Sequence, residues 1–157
     1  MARRRAREFA LQALFQVDMT GCTATDALAS LWVGLVEGEG IGGIKPAEAD
    51  EVEFAEALVL GVLGRGAELD ARIESASQNW RLSRMPVVDR NILRLSAYEL
   101  LTATDVPGSV CINEAIELAK RFGDKDSKAF VNGILDRIAA DVGRGGRKNP
   151  PRPPAAG

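Results

Sequence analysis

Arg3, Arg4, Arg5 and Arg7 form the strongest cationic cluster near the start of a chain whose formal net charge is −2. Guanidinium groups at this spacing bind phosphate, so the first chemistry the residues offer is contact with a nucleic-acid backbone. The charge is unevenly spread. Residues 1 to 8 carry +3 and residues 143 to 157 carry +4, which leaves −9 on the body between them. Basic ends on an acidic body suit an anion contact at the ends and a basic partner on the rest, or else a merely solubilising fringe. The chain has no histidine, which removes Ser-His, Cys-His and His-metal chemistry together. Cys22 and Cys111 are far apart, with no neighbouring Cys or His to complete a metal shell, and read as small core residues. No metal, cofactor or catalytic residue is expected.

The elements that must carry these residues read as helices. With 157 residues, 46% hydrophobic and only 5% aromatic, the composition fits one domain with an aliphatic core. No run reaches the roughly 18 apolar residues of a membrane span, and no secretory signal is legible, so a cytoplasmic protein is expected. A period of 3.6 places Ala6, Phe9, Ala10, Ala13 and Val17 on one side of a first helix over residues 3 to 19, closed by Gly21. A second helix follows from Thr25, a candidate N-cap, to Glu37, with Leu28, Leu31, Trp32 and Leu35 apolar. After the glycine-rich stretch 38 to 46, Pro46 is expected to open a helix over 47 to 64. The segment "GVLGRG" at 61 to 66 lacks the GK[ST] ending and the preceding strand of a phosphate loop, and reads as a break before a helix over 67 to 79. "VVDRNILRLSAYELL" gives the central helix, and "VCINEAIELAKRF" and "KAFVNGILDRIAADV" give the last two. The expectation is an all-α, single-domain compact bundle of about seven helices over residues 1 to 142. Residues 143 to 157, rich in Gly, Pro and Arg, are expected to form a mobile basic tail.

The first helix has a second side. At 100° per residue Arg4, Arg7, Leu11 and Phe15 stack along it, as if one end met RNA and the other met protein. The alternative is that the protein's own core buries this side too. Arginine at a helix N-terminus opposes the helix dipole, so the cluster calls for a compensating anion or acidic surface.

Four blocks then resemble one family: "ARRRAREFALQALFQVD", "VDRNILRLSAYELL", "INEAIELAK" and "DSKAFVNGILD". In order and across nearly the whole chain they look like the NusB family of transcription antitermination factors. The resemblance implies a non-catalytic RNA-binding protein. It would bind single-stranded boxA-type RNA together with a ribosomal small-subunit protein that doubles as an elongation factor. The assembly would sit on the elongating RNA polymerase and support ribosomal RNA transcription. Carried over by position, it implies RNA contact at Arg3, Arg4, Arg5, Arg7, Asp126, Lys128 and Phe130, and partner contact at Phe15 and Asp89. Residue patterns alone leave Phe130 open to being a core aromatic behind Asp126 or Ser127 as N-cap. Two other classes compete: the RNA-recognition domain that resembles NusB in ribosomal-RNA cytosine methyltransferases, and a pure protein-interaction module. Against the first, this sequence shows no glycine-rich cofactor loop, no catalytic cysteine motif and no length for a second domain.

Overall fold

The computed structural model describes residues 2 to 37, 47 to 78 and 80 to 144. Among them lie seven α-helices, one 3₁₀ turn and no strand: α1 (Ala2–Thr20), α2 (Ala24–Glu37), α3 (Ala49–Gly64), α4 (Gly66–Ala76), the turn Leu82–Arg84, α5 (Val87–Thr102), α6 (Gly108–Phe122) and α7 (Ser127–Asp141). No helix among the described residues is long and apolar enough to cross a membrane.

Helix α5 is the axis of the bundle, packed by α1, α3, α4, α6 and α7. Its apolar residues Ile92, Leu93, Leu95, Ala97 and Leu100 are all fully buried, and burial on so many sides also takes in Asp89, Asn91 and Glu99. A helix enclosed this way must find partners for its polar groups, because an unpaired one forfeits its hydration. Helix α1 packs on α2, α3 and α5, with Ala6, Phe9, Ala10, Ala13 and Leu14 in the core. The core positions read from the 3.6 period in α4, α5 and α7 lie inside, with Val88 of α5 only partly buried.

Helix ends are where local chemistry adjusts the expectation. Gly21 stops α1 at φ +72°, a left-handed conformation that glycine takes without steric cost, and its amide donates to the Val17 carbonyl at 2.8 Å. The cap of α2 is Thr23 rather than Thr25: its Oγ1 accepts from the Asp26 amide at 3.1 Å. Helix α3 begins at Ala49, where Glu51 reaches back to the Glu48 amide at 2.9 Å, while Pro46 and the rest of 38 to 46 lie outside the described residues. The "GVLGRG" segment is the corner between α3 and α4. Helix α4 ends at Ala76 because the chain turns through Gln78 at φ +60°.

The folded body runs past the expected boundary. Arg144, expected in the tail, donates to the carbonyls of Leu100 at 2.9 Å and Ala103 at 3.0 Å, and also to that of Val106. It satisfies the open C-terminal carbonyls of α5. Residues 145 to 157 lie outside the described residues.

Gly61 of α3 passes so close to Tyr98 of α5 that an added Cβ would sit 2.2 Å from the phenol ring. Gly61→Ala is therefore expected to lower stability by about 1–3 kcal/mol through overpacking, read as a lowered denaturation midpoint. A midpoint equal to that of the native chain would show that Tyr98 swings aside freely.

Candidate nucleic-acid and partner interface

Three of the four arginines meet carboxylates of the protein itself. Arg4 Nε donates to Glu114 Oε2 of α6 at 3.0 Å, and Arg5 lies 3.6 Å from Glu51 of α3. Arg7 Nε and Nη2 donate to the two oxygens of Glu99 on α5 at 2.7 and 2.8 Å, and its Nη1 is 3.6 Å from Glu114. Arg3 stacks on the Phe54 ring at 5.2 Å, while Arg5 stacks on Phe9 at 5.0 Å and Arg7 on Phe54 at 5.6 Å. The anion that the helix dipole demanded is thus supplied from α3, α5 and α6.

Exposure separates the cluster. The Arg4 side chain is 56% exposed and Arg3 is exposed, but Arg7 is 5% exposed and Leu11 3%. This corrects the expectation of one open side from Arg4 to Phe15: α5 and α6 cover its middle, and only its ends reach solvent. Burial disfavours the Arg7 cation, yet the Glu99 hydrogen bonds and the Glu99 and Glu114 charges outweigh it and raise its pKa above the usual guanidinium value. Arg7 is a tether between α1 and α5, out of reach of a phosphate in this arrangement.

Beside Arg4 runs a cleft of about 230 Å³ between α1 and α6, with Glu8, Glu117, Lys120 and Arg121 along it. Arg121 donates to Glu8 at 2.9 Å and Lys120 to Glu117 at 3.4 Å. Lys120 and Arg121 were missed by sequence reasoning, which followed only the apolar positions of α6. The available signal was spacing: Glu114 and Arg121, seven apart, share a face that can meet Arg4 and Glu8, four apart on α1. The exposed pairs here are weak, worth roughly 0.2–1 kcal/mol each, so a polyanion can replace the carboxylate.

At the start of α7, Asp126 and Lys128 are exposed and Phe130 is partly buried. Phe130 packs on the core and also meets Trp80 edge to face, ring centroids 5.2 Å apart. Neither Asp126 nor Ser127 caps α7 through its side chain. The Ser127 hydroxyl is turned inward and donates to Asp89 Oδ1 at 2.7 Å. Asp89, expected to face a partner, is therefore only 3% exposed. Burial raises its pKa, the Ser127 hydrogen bond works against that rise, and the charge of Asp124 adds to it.

The other end of α1 presents Phe15 and Met19, 39% and 57% exposed and one turn apart. Between them and α5 lies a charge network. Asp18 accepts from Arg90 at 2.7 Å through both oxygens, from Asn91 at 2.9 Å and from Arg94 at 2.9 Å, while Arg94 also donates to Asp70 of α4 at 2.8 Å. It locks α1, α4 and α5 beneath the exposed apolar pair.

Comparisons with known proteins agree with this architecture. The family model described as "NusB family" matches residues 4–140. The transcription antitermination protein NusB of Myxococcus xanthus is 47% identical over 143 residues, which are 91% of this chain and 98% of that protein. The corresponding protein of an Anaeromyxobacter species is 49% identical over 142 residues, 90% of this chain and 92% of its own length. Among solved structures, NusB of T. maritima aligns with a TM-score of 0.75 at 39% identity, covering 87% of this chain and 89% of that one. A chain from the crystal structure of antitermination factors NusB and NusE in complex with dsRNA aligns with a TM-score of 0.73 at 27% identity, covering 87% and 95%. Matched by the family model over residues 4–140 and 47–49% identical to these relatives over about nine-tenths of its length, the chain belongs to the NusB family.

Proposed function

We propose that this protein is a transcription antitermination factor. It holds single-stranded boxA-type RNA together with a ribosomal small-subunit protein on the elongating polymerase, and so supports ribosomal RNA transcription. The observation that carries the RNA and ribosomal-protein parts of this reading is the likeness over 87% of the chain to a structure of NusB and NusE in complex with dsRNA, while the single-stranded boxA-type ligand follows from the family resemblance. The surface supports it. Exposed Arg3 and Arg4, with Lys120 and Arg121 across the cleft, offer phosphate contacts at one end of α1, and Phe15 with Met19 offers an apolar partner contact at the other. The absence of histidine and the regulatory character of the family favour a non-catalytic role in the cytoplasm. Residues 1 to 142, extended to Arg144, form the binding unit.

Titrating labelled boxA-type RNA with and without the ribosomal protein tests the reading. The partner is expected to tighten RNA binding, and Phe15→Ala is expected to weaken the partner contact about tenfold or more while RNA affinity of the isolated protein stays within twofold. RNA affinity unmoved by the partner would overturn the joint-binding reading. Equal loss of both activities with a lowered melting temperature would make Phe15 a structural residue.

A further inference from the structure

Trp80 is the largest apolar side chain left at the surface, 46% exposed. It meets Phe130 at an interplanar angle of 84°. In that arrangement one ring offers its edge to the face of the other, so Phe130 leaves at least one face of the indole uncovered.

Trp80 and the turn that follows it are tied to the bundle. Ser77 Oγ shares its proton between the Trp80 carbonyl at 2.9 Å and the Glu74 carbonyl at 3.0 Å, the Leu82 amide donates to Glu74 Oε2 at 3.0 Å, and Arg90 Nη1 donates to the Leu82 carbonyl at 3.3 Å. Leu82 and Met85 anchor it in the core. An aromatic surface held this way loses little freedom when a ligand stacks on it.

The charges around it are open. Among the described residues, the exposed Arg81 and Arg84 have no carboxylate at ion-pair distance, unlike Arg65, Arg90 or Arg121. Glu74 accepts from the Leu82 amide, and Asp124 Oδ1 accepts from the Asp126 amide. Asp126, at the N-cap of α7 on the Phe130 side, is offset by the positive end of the helix dipole, and Asp141 on the same side lies three turns further along. Lys128 is exposed and lies about 200° around α7 from Phe130, away from the indole.

A protein partner would want apolar neighbours for the indole. Among the described residues, the other large exposed apolar ones, Phe15, Met19, Val33, Leu60, Leu63 and Val110, lie on α1, α2, α3 and α6. A lone aromatic face, next in sequence to Arg81 and four residues from Arg84, both exposed, matches instead a nucleotide, which carries a π-face and a phosphate in one unit. We propose that Trp80, backed by Phe130 and flanked by Arg81 and Arg84, is a stacking site for an unpaired RNA base. This rests on RNA being the ligand, as proposed above, and adds a base contact on the turn before α5 to the phosphate contacts of α1.

The chain has two tryptophans, so Trp32→Phe, once shown to be folded, leaves Trp80 as the only indole. Titrating boxA-type RNA into it is expected to quench the Trp80 emission along the same curve as a label on the RNA. Trp80→Ala is expected to weaken binding about 5- to 150-fold with an unchanged salt slope, since stacking releases no counterions, and Trp80→Phe is expected to keep most of the affinity. Arg81→Ala/Arg84→Ala should instead flatten the slope by about 1.4. Unquenched emission while labelled RNA binds, or full RNA affinity in a folded Trp80→Ala chain, would overturn the inference, and loss of ribosomal-protein binding alone would make the patch a protein contact. If Arg3→Ala/Arg4→Ala weakens RNA binding while the Trp80 variants do not, only this inference falls. No RNA binding by the native chain would remove both.

Discussion

Arg7→Ala is expected to destabilise the fold by about 3–5 kcal/mol, the cost of leaving one member of a buried ion pair alone. The carboxylate left behind is Glu99, 4% exposed on the central helix. The loss is a large part of the total stability of about 5–15 kcal/mol typical of a single domain, so denaturant unfolding at low temperature is the suitable measurement. Arg7→Lys keeps the charge but loses the two-pronged geometry, and should fall between the native chain and alanine. Arg7→Met/Glu99→Gln removes both charges together and should recover part of the loss. Arg7→Ala with native stability and weakened RNA binding would show that Arg7 leaves Glu99 to meet a phosphate.

Asp18 carries the second large effect. Hydrogen bonds from Arg90, against an opposing contribution from burial, and then those from Asn91 and the charges of Arg90 and Arg94, lower its pKa from 3.8 to about 2. A depressed carboxylate pKa stabilises the fold above the unfolded value near 3.8, and that stabilisation is lost as pH falls toward 2. The difference is worth about 2 kcal/mol. Asp18→Asn is therefore expected to cost about 2 kcal/mol at neutral pH and to flatten the acid limb of the stability curve. Asp89 acts in the opposite sense: its raised pKa means that stability falls as pH rises through it, so Asp89→Asn should remove a small loss in weakly acidic solution. Melting temperatures from pH 2 to 7 check both, and an unchanged acid limb in Asp18→Asn would remove Asp18 as its cause.

The helices were legible because hydrophobic period and glycine punctuation are local signals, and the seven helices follow them to within a few residues. Burial of charged residues was not. Arg7 reads as part of a surface cluster until α5 brings Glu99 beneath it, 92 residues away in sequence. Asp89 likewise reads as exposed until α7 turns the Ser127 hydroxyl onto it from 38 residues away. Phe130 fell between its two readings, since one side packs on the core while Trp80 continues the aromatic surface outward. Lys120 and Arg121 escaped notice because their importance depends on which helix lies opposite. Composition and period carry no such information, whereas the family blocks place positions without saying which are enclosed.

In the proposed function exposed arginines of α1 hold RNA phosphates, and the salt dependence of binding reads those contacts. With Arg7 enclosed, two or three contacts by the remaining cations of this surface contribute about −1.5 to −2 to the log-log slope for single-stranded RNA, to which Arg81 and Arg84 add about −1.4. In Arg3→Ala/Arg4→Ala the slope is expected to flatten by about 1 or more, with binding to unrelated RNA weakened alike, because phosphate contacts position a ligand without reading its sequence. An unchanged slope in the folded double variant would contradict the account and leave the cluster as a solubilising fringe tied to the protein's own carboxylates.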